Sequence, residues 1–215
     1  MIQLISPHYT YKKLEPPFYK DLVDVFEDRI RYWMLYPAKK LLSNHIDQVA
    51  ALGILLNYLE AIEIYTTGKD SKNKSYDFFI RSFSKVFAIT EGGKSGIDEC
   101  AKALYVQARC GFAHDGGFRN RVFIKDTTKN AIVITWPMEN GRFVYNRGVE
   151  SIIINPIRFY KVIEIHFEKY LKELKARKDQ DLVNSFKKAV DLKWGLDIEY
   201  VNFGMTEEEF KKNKY

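Results

Sequence analysis

An arginine, a histidine and a glycine stop fall close together in the run Tyr105-Val-Gln-Ala-Arg109-Cys-Gly-Phe-Ala-His114-Asp-Gly-Gly. Histidine titrates near neutral pH, so it can accept a proton and later return it. A guanidinium fork places fixed positive charge where phosphate oxygens gain negative charge, and it does so better than a lysine point charge. The pair therefore suits cleavage of RNA by its own neighbouring 2′-hydroxyl. That chemistry requires no metal, and the 2′-hydroxyl restricts the substrate to RNA. On an ideal helix, residues five apart diverge by about 140°. Gly111 and the end of the helix are expected to loosen that constraint, and the arginine side chain is long enough to converge with His114 on one ligand. A plainer reading also stands, in which Arg109 pairs with a core acid and His114 only caps the helix.

Nearby residues carry two readings each. Glu60 has Leu56 and Ile64 four positions away and Gly53 seven before it, which suggests a partly buried face where a carboxylate needs a partner. Arg109 is the candidate partner; a solvated glutamate beside Glu63 is the alternative. Asp115 could orient His114 or simply serve as a helix-end turn residue. Arg119, Arg121 and Lys125 could track a phosphate backbone, or form the outward face of a strand alternating with Val122 and Ile124. Tyr105 lies one helical turn before Arg109 and could stack on a base or pack in the core. Cys110 reads as a small core residue, and His166, among apolar neighbours, as a satisfied structural histidine.

Helical periodicity dominates the elements that must position these groups. Phe18, Leu22, Val25, Phe26, Ile30, Trp33 and Met34 recur at spacings of three and four over residues 17–43, and Pro37 should kink or restart that helix. A second helix is expected from 44–47 to Thr67 with Gly68 as its stop, a third over 74–89, a loop at Glu91–Gly96, and a fourth from Ile97 to about Phe112. The pattern then changes to short β-branched runs at 121–125, 131–135 and 142–145, which predict a small antiparallel meander or hairpin. Pro156 opens a long helix over 157–175. A further helix is expected over 181–193, and Thr206-Glu-Glu-Glu marks a short C-terminal helix start. The expected architecture is mainly α: one domain over 1–215, a β insertion at about 119–150 and a C-terminal helical extension at about 179–215.

The 215 residues are 46% apolar and 15% aromatic, enough for a buried core. A net charge of +6 permits phosphate-rich partners without demanding them. The run from Val49 to Tyr65 is interrupted by Asn57, Glu60 and Glu63 and reads as a buried helix. Two cysteines, Cys100 and Cys110, match no metal or redox spacing. With no leader-like N-terminus, a cytoplasmic setting is expected. No Walker loop, GxGxxG, HExxH, GxSxG or CxxC pair is present, so neither metal nor cofactor is called for.

The run at 105–117 resembles the Arg-x4-6-His signature of HEPN-domain proteins, with Arg109 and His114 on its two defining positions. The helix carrying Leu55-Leu-Asn-Tyr-Leu-Glu60-Ala-Ile is similar to the acid-bearing second helix of several HEPN groups. The resemblance covers about residues 17–115 and 156–175. It departs at Cys110, where active members often carry a polar residue. It implies a HEPN-like helical bundle and a homodimer whose motifs face each other. It further implies a metal-independent ribonuclease of the toxin or phage-defence kind, with RNA as substrate and an antitoxin or other regulatory protein as a partner. In that scheme His114 is the acid/base, Arg109 the phosphate stabiliser, and Glu60 and Asp115 orienting groups. A non-catalytic module binding RNA, a nucleotide or a protein is the alternative.

Overall fold

The computed structural model describes residues 4–87 and 93–195, together with residues 208 and 212. A short antiparallel pair, β1 (Leu4–Ser6) and β2 (Tyr9–Thr10), precedes the helices and has no counterpart in the sequence-based expectations. The first helix, α1 (Tyr19–Arg29), runs through a π turn (Ile30–Leu35) into α2 (Tyr36–Leu41). Pro37 does not break it. Proline cannot donate to the ladder, and the widened turn just before it shifts the bonding: the Tyr36 N–H reaches back five residues to the Arg31 carbonyl. Pro37 then falls in the first turn of α2, where its missing N–H costs little.

The most apolar stretch becomes the central helix, α3 (Gln48–Thr67). Leu52, Leu55, Leu56 and Leu59 are all fully buried. Each such side chain stabilises the fold by about 1.5–3 kcal/mol relative to exposure. The helix stops at Gly68, whose φ of 64° is the left-handed conformation that glycine adopts without a Cβ penalty. Among the described residues, His45–Thr67 is the one helix long and apolar enough to cross a membrane by length and composition. In this fold it is the hub, packed by α2, α4 (Ser75–Val86), α7 (Pro156–Ala176) and α8 (Gln180–Trp194).

The helix bearing the Arg–His run is longer than its apolar pattern implied. It starts as α5 (Gly93–Leu104), widens into a second π turn (Tyr105–Arg109) and ends as α6 (Cys110–Asp115). Residues 93–96, expected in a loop, are helical; 91 and 92 lie outside the described residues, as does the helix start expected at Thr206.

The β insertion holds an antiparallel hairpin, as expected, but its main sheet is mixed and is not a meander. Strands β3 (Val122–Ile124) and β4 (Ile132–Thr135) do not pair with each other. Both flank β7 (Ser151–Ile154), β3 in parallel and β4 antiparallel. The central strand lies beyond the expected boundary at 150. It is the most buried of the three, through Ile152 and Ile154, and a continuous isoleucine run suits such a strand. The run at 142–145 contributes only β6 (Arg142–Phe143), which forms a separate hairpin with β5 (Met138–Glu139).

Asn155 joins insertion to bundle. It caps α7 by accepting the Arg158 N–H at 3.1 Å, and its amide donates to the carbonyls of Asp126 and Thr128. One hydrophobic core unites the layers, with Phe26, Leu55, Phe83, Leu104, Ile154 and Phe186 in the same cluster.

Candidate functional site

Glu60 faces the motif helix from α3, and the Arg109 Nη2 donates to its Oε2 at 3.2 Å. Both side chains are mostly covered, at 22% exposure for Arg109 and 17% for Glu60. The guanidinium also lies over the Tyr105 ring, 5.6 Å from its centroid. Tyr105 in turn is wedged edge-on between Tyr76 and Phe79, each 5.2 Å away. Burial, followed by the neighbouring Cys110, pushes the Tyr105 hydroxyl above its ordinary pKa. Of its two sequence readings, the structure places Tyr105 in the packed one. Arg109 is thus fixed by a carboxylate and supported by a ring.

The π turn re-phases this part of the helix. The Cys110 N–H bonds the Tyr105 carbonyl five residues back instead of four. Carbonyls near the turn find partners outside the helix: Arg119 donates its backbone N–H to the Gln107 carbonyl at 2.9 Å and its Nη1 to the Val106 carbonyl at 3.1 Å. Arg119 also grips Asp115, Nε to Oδ2 at 2.5 Å, and that hydrogen bond holds the Asp115 carboxyl below its usual range. Asp115 is bonded to Arg119 and not to His114, and Arg119 clamps the helix end through groups that would otherwise face phosphate.

Arg121 is also engaged. It lies ahead of β3 with φ at 79°, and its Nη1 donates to the Val149 carbonyl at 3.0 Å. Of the three cations expected to track a backbone, only Lys125 has an exposed side chain with no hydrogen bond or ion pair among the described residues.

His114 sits in the last turn of α6, exposed, just before Gly116 turns the chain with φ at 74°. Among the described residues no hydrogen bond or ion pair links it to Arg109, Glu60 or Asp115. The reason is geometric. Gly111 was expected to loosen the helix, yet it stays helical and buried, so the divergence between positions 109 and 114 persists. Its missing side chain serves close approach instead. A Cβ there would lie 2.8 Å from the Gly117 carbonyl oxygen and 3.0 Å from the Arg119 nitrogen.

A prediction follows for stability. Gly111→Ala pushes backbone against backbone, which cannot yield as a side chain can, and should cost about 1–3 kcal/mol in a denaturant titration. Gly53→Ala meets only the Phe112 ring, at 2.4 Å, and Phe112→Ala in the same chain should restore most of its loss. Equal losses for the two glycine variants, with no such rescue, would show that the return loop does not need Gly111.

A second polar cluster carries no sequence motif. Glu63, 2% exposed, is held by Arg81 at 3.0 Å and Lys85 at 2.6 Å on α4. His166 bonds the Tyr58 hydroxyl through Nδ1 at 2.8 Å, which agrees with the structural reading of that histidine. Burial, then the charges of Lys169 and Lys85, holds its pKa below the ordinary value. Glu63, Lys85 and His166 line a cleft of about 480 Å³ between α3, α4 and α7. Only the apolar flanks of Glu63, Ile62 and Ile64, hint at its burial; the His166–Tyr58 contact spans 108 positions and leaves no local pattern. Cys100 is a half-buried thiol, pushed up to about 12 by desolvation. No group of three or more His, Cys, Asp or Glu side chains that could hold a metal ion occurs among the described residues. No protein-family model, curated protein or solved structure matches the chain.

Proposed function

We propose that this chain is a metal-independent RNA endonuclease of the HEPN type, of the toxin or phage-defence kind, acting as a homodimer in the cytoplasm. The observation that carries the reading is a guanidinium held by a half-buried carboxylate, five residues before an exposed histidine at a glycine-capped helix end. Arg109 would bind the scissile phosphate, with Glu60 as the residue that positions it. His114 would remove the proton from the 2′-hydroxyl. The 2′-oxygen then bonds phosphorus, the bond from phosphorus to the 5′-oxygen breaks, and a protonated histidine supplies the proton to that leaving oxygen. The products are a 2′,3′-cyclic phosphate and a 5′-hydroxyl. The divergence of Arg109 and His114 within one chain favours the dimer, because two facing helix ends would supply both a base and an acid around one phosphate. An antitoxin or similar regulatory protein would then act by covering those ends.

The test is purified protein incubated with a panel of structured and unstructured RNAs in excess chelator. Cleavage is expected; intact RNA across the panel would overturn the reading. One observation favours the alternative of a non-catalytic RNA-, nucleotide- or protein-binding module: Asp115, the nearest acid to His114, is committed to Arg119. That module would bind RNA in the same assay and leave it whole.

A further inference from the structure

The π turn in the first helix leaves three large aromatic residues facing outward. Tyr32, Trp33 and Tyr36 are 43%, 53% and 49% exposed. With Arg29 and Lys40 they follow a spacing of three, one, three and four, which is one continuous stripe on a helical rod. Residues of this size are normally drawn into the core, and three adjacent ones on a surface mark a contact site.

The stripe is built, with backing for each ring. The Arg29 guanidinium lies 5.6 Å from the centroid of Trp33 and 4.3 Å from that of Trp194, and its Nε donates to the Ile5 carbonyl at 2.8 Å. His8 meets Tyr32 edge-on at 4.5 Å and is itself anchored by the buried Asp28 at 2.7 Å. Tyr32 and Tyr36 are 6.2 Å apart, and the Lys40 ammonium sits 4.6 Å from the Tyr36 ring. Arg29 and Lys40 therefore bracket the rings, Lys39 is adjacent, and no carboxylate occupies any of the five stripe positions. Exposed π faces interleaved with cations are what a single-stranded nucleic acid recognises: bases stack on the rings and phosphates meet the charges. A second protein surface could use the same rings, but it would have to supply carboxylates to balance Lys40 and the part of the Lys39 charge that nearby Glu164 leaves over. A phosphate backbone brings that charge with it.

We propose that Tyr32, Trp33 and Tyr36 form a stacking platform for unpaired nucleotides, with the strand's phosphates running past Lys39 and Lys40. The identity of that strand as RNA rests on the function proposed above; the platform itself does not require cleavage.

The test uses the full chain and a 12-nucleotide oligo(dT), which has no 2′-hydroxyl and so cannot be cut by this chemistry. Binding should quench tryptophan fluorescence, and Trp33→Leu should remove most of the quenching. Trp33→Leu and Tyr36→Ala should each weaken binding about tenfold, while Trp33→Tyr stays close to wild type. Changing Lys39 and Lys40 together to glutamine should lower the salt dependence of binding. No binding by the wild type, or unaltered affinity in the ring variants, would overturn the platform. So would a ring variant that converts a dimer to a monomer in sedimentation while binding DNA as before, which would make the stripe a protein interface. Trp33-dependent binding without any RNA cleavage would remove the ribonuclease reading and leave the platform standing. Cleavage indifferent to Trp33 would do the reverse.

Discussion

Alanine at His114 is expected to lower RNA cleavage by about 100- to 10,000-fold, the range supplied by a positioned general acid or base. The fold should not suffer. The His114 side chain is exposed in the last turn of α6 and makes no hydrogen bond among the described residues, so its removal should change stability by no more than about 0.5 kcal/mol. Single-turnover cleavage measured beside a denaturant titration separates the two effects. Added imidazole should restore part of the lost rate in His114→Ala, which a merely structural role would not allow. Activity within threefold of wild type would remove His114 from the chemistry.

Arg109→Ala should cost about 100- to 1,000-fold in cleavage rate, as the loss of one fixed donor to a charged transition state typically does. Arg109→Lys should recover little of this, because an ammonium cannot reproduce the planar fork that both Glu60 and a phosphate engage. Here stability should fall as well. Glu60, 17% exposed, would be left without its partner, at a cost of about 1–3 kcal/mol. Glu60→Gln keeps the shape and removes the charge, so it should loosen Arg109 and lower the rate by less than Arg109→Ala does. If Glu60→Gln proved the more damaging of the two, Glu60 would be acting on the substrate directly and the roles assigned here would be reversed.

The parts of the molecule that repeat along a helix face were legible in the sequence. Apolar spacing located α3, α7 and α8 to within a few residues, with Gly68 as the stop of α3, and the partly apolar face of Glu60 pointed to a buried acid that Arg109 does meet. What the sequence hid arises from long-range pairing. The central strand β7 is an isoleucine run adjoining a helix, and only its partners β3 and β4 define it as a strand. Both π turns also escaped, because a one-residue shift in the ladder leaves the apolar pattern nearly unchanged. Arg119 and Asp115 looked like free charges, since nothing local shows that carbonyls diverted by a π turn would draw the arginine inward. Gly111 was legible as important, although its purpose is close packing against the return loop.

The most direct measurement concerns the bond that breaks. A defined RNA is incubated with the protein in excess chelator, once as all-ribose and once with a single 2′-deoxy nucleotide at the cleavage position. The proposed chemistry requires a 2′,3′-cyclic phosphate end on the all-ribose strand and no cleavage at the deoxy position. Cleavage that ignores the missing 2′-hydroxyl, or that chelator abolishes, would contradict a metal-independent 2′-hydroxyl attack at the Arg109–His114 helix end.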